Sequence, residues 1–159
     1  MAVSAVCPGS FDPITLGHLD VIERAARRFD HVVTAVVDNP NKQSMFALDE
    51  RVAMVRDEVS RFANVEVVAF EGLLVDFCRE RDIGVICKGL RGVADFEYEL
   101  QMAQMNLRVG DIETMFISTN PTLSYLSSSL IKEVARMGGS VHGMLPDGAE
   151  QALLERSRA

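Results

Sequence analysis

The chain has 159 residues, 48% of them hydrophobic and 25% charged, which bounds it to a single globular domain (residues 1–159) with room for a three-layer core. Its 23 acidic residues outnumber the 16 basic ones, for a formal net charge of −7. General nucleic-acid binding, which needs a basic face, is thereby excluded, and an anionic substrate must be met by a few placed cations. The apolar run Ala2–Cys7 reads as a buried first strand. Pro8-Gly9-Ser10-Phe11-Asp12-Pro13 then turns the chain, and a helical pattern begins near Leu16 and runs to Phe29 through Leu19, Ile22, Ala25 and Ala26. A strand, a glycine and proline turn, and a helix opening on Gly17-His18 form the layout of a phosphate site. The first N–H groups of a helix have no intrahelical partner, and the dipole there favours anions. Gly9 is read as allowing a ligand close to the main chain, and His18 as aiming a ring nitrogen at it. The plain alternative is a turn capped by Thr15 beside a surface histidine.

His31–Val37 is β-branched and almost wholly apolar, as in a parallel strand covered on both faces. The polar loop Asp38–Phe46 follows it and carries Lys42, at the end of a strand where open α/β sheets bind ligands. Leu48–Phe62 is predicted as a helix, Val65–Phe70 as a strand, Leu73 to Arg81 as a short helix and Ile83–Cys87 as a fourth strand. Out of that strand runs Lys88-Gly89-Leu90-Arg91-Gly92, either a second phosphate contact or a basic turn. Phe96–Val109 is a predicted helix with Phe96, Tyr98, Leu100, Met102, Met105 and Leu107 around much of its circumference. Burial on several sides is expected of it, against another subunit or a substrate. Thr114–Ser118 is a fifth strand, and the polar stretch from Thr119 to Ser129 leads into a helix, Leu130–Met137, ended by Gly138-Gly139. Ser127-Ser128-Ser129 can cap that helix or present hydroxyl and N–H groups to phosphates. Val141–Leu145 and the stretch from Asp147 onward read as closing helical pieces.

Five strands alternating with helices predict an α/β fold: a Rossmann-like, doubly wound sheet of five mainly parallel strands with helices on both faces. Ser10 and His18, Lys42, Lys88 and Arg91, and the serine triplet follow strands one, two, four and five. All are therefore expected at the C-terminal edge of one sheet. Neither GxGxxG nor GxxxxGK[ST] occurs, which disfavours a dinucleotide-dependent oxidoreductase and removes a P-loop kinase. Cys7, Cys78 and Cys87 have no CxxC spacing, so a reducing, cytoplasmic setting is expected and a protein-held metal is not. Cys7 and Cys87 adjoin the predicted site and are read as buried fillers. No apolar run approaches a bilayer's width, so no membrane partner is expected.

Several blocks together carry a resemblance. They are Pro8-Gly9-Ser10-Phe11-Asp12-Pro13 with Thr15-Leu16-Gly17-His18, Asn39-Pro40-Asn41-Lys42 with Met45-Phe46, and Lys88-Gly89-Leu90-Arg91. Further on come Asp95-Phe96-Glu97-Tyr98-Glu99, Gln104-Met105-Asn106, and Ser127-Ser128-Ser129 with Lys132-Glu133-Val134. In that order the chain closely resembles the bacterial phosphopantetheine adenylyltransferases, within the (H/T)xGH nucleotidyltransferase superfamily. The resemblance implies adenylyl transfer from ATP to 4′-phosphopantetheine, giving 3′-dephospho-CoA and pyrophosphate, with Mg²⁺, a homohexamer and feedback by coenzyme A. It implies that His18, Lys42 and Arg91 are catalytic, and that Ser10, Lys42, Leu74 and Lys88 bind the acceptor. Nucleotide contacts are implied for Ser10, Phe11, His18, Gly89, Leu90, Arg91 and Glu99, and for Leu123, Ser124, Tyr125, Leu126, Ser127, Ser128 and Ser129. Three positions depart from familiar members. Ser10 replaces Thr, Lys88 replaces Arg, and Leu123 replaces Tyr or Trp and so cannot stack as a ring does. A relative acting on nicotinate mononucleotide or a small phosphorylated alcohol, and a non-catalytic nucleotide or coenzyme A sensor, stay open as alternatives.

Overall fold

The computed structural model describes residues 3–40 and 43–158. Five strands and six helices alternate along it. The strands are β1 (Ser4–Gly9), β2 (His31–Val37), β3 (Val65–Phe70), β4 (Val85–Leu90) and β5 (Glu113–Ser118). The helices are α1 (Leu16–Ala26), α2 (Leu48–Val59), α3 (Leu74–Glu80), α4 (Val93–Gly110), α5 (Ser128–Arg136) and α6 (Asp147–Arg158), with a 3₁₀ turn at Pro121–Leu123. Every strand pairing is parallel, in the order β3-β2-β1-β4-β5. This is the predicted Rossmann-like sheet, and the chain reverses its direction of winding between β1 and β4. Open α/β sheets form their ligand crevice at such a switch point.

Register shows where the crevice opens. The ladder between β1 and β2 runs for six pairs, from Ser4–His31 to Gly9–Val36. Between β1 and β4 only Ala5–Val85 and Val6–Ile86 are paired. Pro8 has no N–H to extend that ladder, and beyond Val6 and Ile86 the two strands part. On one face Leu19, Ile22 and Ala25 of α1, Val55 and Val59 of α2, Ile131 of α5 and Leu153 of α6 build the larger core cluster. On the other, Val6, Val33, Ala35 and Ile86 pack with Phe70, Cys78, Ile83 and Ile112 in a smaller one.

Two expectations change. The fourth strand extends through Lys88-Gly89-Leu90, because those residues continue the ladder to β5 opposite Phe116, Ile117 and Ser118. Residues 141–145 form a turn rather than a helix; Val141 and Leu145 are buried under α6, and the three residues between them leave no length for helical periodicity. Helix α4 buries no residue within this chain. Its Phe96, Tyr98, Leu100, Met102, Met105 and Leu107 are between 37% and 64% exposed. The apolar circumference is real, but the described residues cover it only in part, as where Phe96 packs edge-on against Phe116 of β5.

One buried cation ties the crevice to the core. Arg51 of α2, 2% exposed, donates to the carbonyls of Phe46 at 3.2 Å, Ser10 at 2.7 Å and Val37 at 3.0 Å. It thereby joins the turn after β1 to the chain leaving β2. Arg51→Ala leaves these carbonyls without their partner, at about 1–3 kcal/mol for each buried group left unsatisfied. The expected outcome is a lower urea midpoint with an unchanged m-value in equilibrium unfolding.

Candidate active site

The sequence Thr15-Leu16-Gly17-His18 is the start of α1, and its spacing has a structural reason. Thr15 is the N-cap and His18 the third helical residue. The His18 backbone N–H donates to Thr15 Oγ1 at 3.3 Å, and the Thr15 backbone N–H donates to His18 Nδ1 at 3.1 Å. This is a capping box in which imidazole replaces the usual glutamate. Because Nδ1 accepts, the neutral ring carries its proton on Nε2, the nitrogen left for the crevice. Thr15 thus caps the helix, and the same bonds fix the orientation of the His18 ring.

Phe11 sets the ring's other side, with centroids 5.1 Å apart and an edge-on packing. Phe11 takes a left-handed φ of 46°, which folds its ring back over Gly9. A Cβ on Gly9 would stand 3.0 Å from that ring. Gly9 is thus small for Phe11, and it also lines the cavity that opens here. Gly17 likewise faces Thr15 Oγ1 and the Leu123 carbonyl, at 3.5 and 3.7 Å from a hypothetical Cβ.

These elements enclose a cavity of about 260 Å³ where β1 and β4 part. Its wall includes Phe11, His18, Lys88, Gly89, Arg91 and Glu99, together with Leu126, Ser127, Ser128 and Ser129. Side chains alternate along β4, so Cys87 and Gly89 face α1 while Lys88 points to the other face. There Lys88 Nζ lies 3.3 Å from Glu99 of α4. Arg91 is held by Asp95, with Nε and Nη2 donating at 2.8 and 3.0 Å, while Nη1 donates to the Leu126 carbonyl at 2.8 Å. The serine triplet opens α5. Ser127 occupies the N-cap position without a side-chain cap bond, and Ser128 Oγ donates to the Pro13 carbonyl at 2.8 Å. The N-termini of α1 and α5 thus border one cavity with two cations, an arrangement that attracts phosphate groups.

Other predicted residues lie off this wall. Ser10 has its carbonyl bound by Arg51, and Leu74 opens α3 against the smaller core cluster. Leu90 ends β4, and Leu123, Ser124 and Tyr125 precede the wall residue Leu126. Lys42 lies outside the described residues.

Sequence reasoning missed the anchor beneath the site. Asp12 accepts from the backbone N–H groups of Met45 and Phe46 at 3.0 and 2.9 Å and pairs with Lys132 of α5. Burial works against its charge, but Lys132 and the two N–H groups outweigh it and hold the carboxyl below its ordinary value. Asp95 was findable, four residues after Arg91, though a helix had to be assumed there. Nothing in the sequence joins Asp12 to Lys132.

The profile of the cytidylyltransferase-like family matches residues 6–134. Over 154 residues the chain is 55% identical to the phosphopantetheine adenylyltransferase of Streptomyces coelicolor, covering 97% of each protein. The chain belongs to the phosphopantetheine adenylyltransferase family. It is a nucleotidyltransferase of the cytidylyltransferase-like group. A crystal structure from Vibrio parahaemolyticus, provisionally assigned as a nicotinate-nucleotide adenylyltransferase, superposes with a TM-score of 0.72. It spans 99% of this chain and 94% of its own at 18% identity, and so attests the shared fold.

Electrostatics in this nucleotidyltransferase site hold His18 neutral. Burial, then the charges of Arg91 and Lys88, push its pKa from 6.5 down to about 4. An unfolded chain takes up that proton near pH 6.5 and the folded one only near 4, so acid favours unfolding across this window. Stability present above pH 6.5 is expected to fall progressively as pH drops toward 4. His18→Asn should flatten that part of the profile, read as urea midpoints between these two pH values.

Proposed function

We propose that this site transfers the adenylyl group of ATP to 4′-phosphopantetheine, giving 3′-dephospho-CoA and pyrophosphate, the penultimate step of coenzyme A synthesis. The observation that carries the reading is the cavity at the sheet's switch point. There a neutral, oriented His18, Lys88, Arg91 and two helix N-termini converge. That set suits two polyanions better than any redox or acyl chemistry.

The acceptor's phosphate oxygen attacks the α-phosphorus of ATP in line, a new P–O bond forms, and the bond to the pyrophosphate oxygen breaks. The nucleophile is already an anion, so no strong base is required. Positioning and charge compensation dominate. His18 donates from Nε2 to an α-phosphate oxygen as charge builds there. Lys88 exchanges its Glu99 partner for acceptor phosphate, together with Lys42, while Ser10 and Leu74 complete the acceptor side. Arg91, fixed by Asp95 and Leu126, holds the departing phosphates with the N–H groups of the serine triplet. Phe11, Gly89, Leu90, Glu99 and the stretch from Leu123 to Leu126 complete the nucleotide side. Leu123 packs on the nucleotide without stacking.

The substrate form is MgATP. Among the described residues no three of His, Cys, Asp and Glu gather as a metal cage, and the ion is carried by the triphosphate. The reaction belongs to the cytoplasm, and coenzyme A, sharing the acceptor's pantetheine arm, acts as feedback inhibitor. Among the described residues no helix is long and apolar enough to cross a membrane.

The test is pyrophosphate release from MgATP with and without 4′-phosphopantetheine, and with nicotinate mononucleotide as competing acceptor. Release with the first alone, with dephospho-CoA found by mass, supports the reading; release with nicotinate mononucleotide instead overturns the acceptor. His18→Ala is expected to lower kcat by roughly 10²–10³ while nucleotide affinity stays close to that of the parent.

The exposed apolar residues of α4 support assembly into a homohexamer, since eight large apolar side chains open to solvent on one helix mark an interaction surface. Met105→Asp, at a position 58% exposed, is expected to shift the protein to smaller species in sedimentation. An unchanged assembly in that variant removes α4 from the interface.

A further inference from the structure

The reaction leaves two side chains of the cavity unused. Cys7 of β1 and Cys87 of β4 both border it, at 3% and 2% exposure. They stand one step beyond Val6–Ile86, the last rung joining the two strands. Both face α1, and each thiol is the main influence on the other's ionisation. We propose that Cys7 and Cys87 form a dithiol that a peroxide oxidises to an intramolecular disulfide, and that this modification shuts the adenylyl-transfer site. The second half rests on the functional reading above; the first does not.

Spacing permits the bond. Neighbouring strands lie about 4.8 Å apart, and bridged cysteines have Cα atoms about 4.4–6.8 Å apart. A pair just past the last rung starts near the short end of that range, and the parting of the strands moves it inward. The cavity gives a small oxidant a route that neither residue's low exposure would suggest.

Chemistry favours one thiol as the attacker. Interaction with Cys7 stabilises the Cys87 thiolate and lowers its pKa, against burial, which raises it. The Cys7 thiol is pushed well above its ordinary value by that same interaction and by burial, so Cys87 gives up its proton before Cys7 does. Thr34, paired with Cys7 in the β1–β2 register, buries a hydroxyl that has no hydrogen-bond partner, leaving a donor in reserve beside the pair. Cys78 is the built-in contrast. It lies in the smaller core cluster, where burial pushes its pKa up to about 11.

The Cys87 thiolate attacks one peroxide oxygen and expels hydroxide, leaving a sulfenic acid. The Cys7 sulfur then displaces that oxygen as water, giving the disulfide. Overall two thiols and one hydrogen peroxide give one disulfide and two waters, with two electrons passing from sulfur to oxygen. Closing the bond brings the two sulfurs to about 2.0 Å of each other. The adjoining backbone cannot absorb that freely. A Cβ at Gly9 would already be 3.0 Å from the Phe11 ring, and one at Gly89 2.8 Å from Val21. Movement therefore passes to Phe11, which packs on His18, and to Lys88. A disulfide that faces the cavity is open to attack by a small thiol, so the block is reversible.

The experiment treats reduced protein with hydrogen peroxide, alkylates it, and maps the peptides without reduction. A Cys7–Cys87 cross-link is expected, with Cys78 still alkylated. Acceptor-dependent pyrophosphate release should fall by roughly 10²-fold, the scale for a displacement of about 1 Å, and return with dithiothreitol. Cys87→Ser, compared with its own reduced rate, should show no dithiothreitol-reversible loss. Thiols that stay free, or pass to sulfinic acid without a cross-link, overturn the dithiol. A cross-link that leaves the rate unchanged overturns the shut-off. Should reduced protein show no acceptor-dependent release, the functional reading alone fails. The map then still decides the dithiol, and ATP affinity before and after oxidation decides its effect on the site.

Discussion

The site depends on two reciprocal hydrogen bonds between Thr15 and His18. A helix must satisfy its first N–H groups, and here the residue doing so is the one whose ring faces the cavity. Capping fixes three things together: where α1 starts, which nitrogen of His18 is protonated, and where that proton points. A histidine that only lined the wall would be free to rotate or to take either tautomer. Because stability and ring orientation share the same bonds, the geometry needed for charge stabilisation is present before any ligand arrives.

Around that cap the sheet supplies position. The parting of β1 and β4 after two rungs makes the space, and the alternation of β4 then distributes its chemistry between two faces. Cys87 and Gly89 turn toward α1, and Lys88 toward Glu99 on α4. The site is therefore continuous with the least covered part of the molecule. Helix α4 contributes Glu99 and Asp95 to the cavity while its apolar residues stay exposed. A partner seated on α4 would bear directly on the residues that hold Lys88 and Arg91, which links the proposed assembly to the site by contact.

Beneath the cavity, charge replaces apolar packing. Arg51 and the Asp12–Lys132 pair sit where the chain leaves β1 and β2, and they bind backbone groups of the Ser10 turn and of Met45 and Phe46. A loop edge cannot bury enough apolar surface to become rigid, whereas a buried ion with several backbone partners fixes it in one arrangement. That rigidity reaches both sides of the loop that carries Lys42.

The sequence by itself determined the strands and their order of alternation, because β-branched runs such as His31–Val37 and Val65–Phe70 have one stable use in a chain of this kind. It also placed the His18, Arg91 and serine segments at helix starts and turns along one edge of the sheet, where they line one cavity, since helix starts and glycine turns are local in sequence. Its misjudgements concern what lies across space. Lys88-Gly89-Leu90 became strand because β5 was there to pair with, and residues 141–145 became a turn because α6 packs over them. The contact of Gly9 with Phe11 was out of reach for another reason, since no pattern announces the left-handed backbone of Phe11. Only the tertiary structure could bring Asp12 to Lys132, 120 residues on, or set Cys7 beside Cys87. Those contacts depend on the order of strands in the sheet, and strand order is a property of the whole fold that no window of sequence contains.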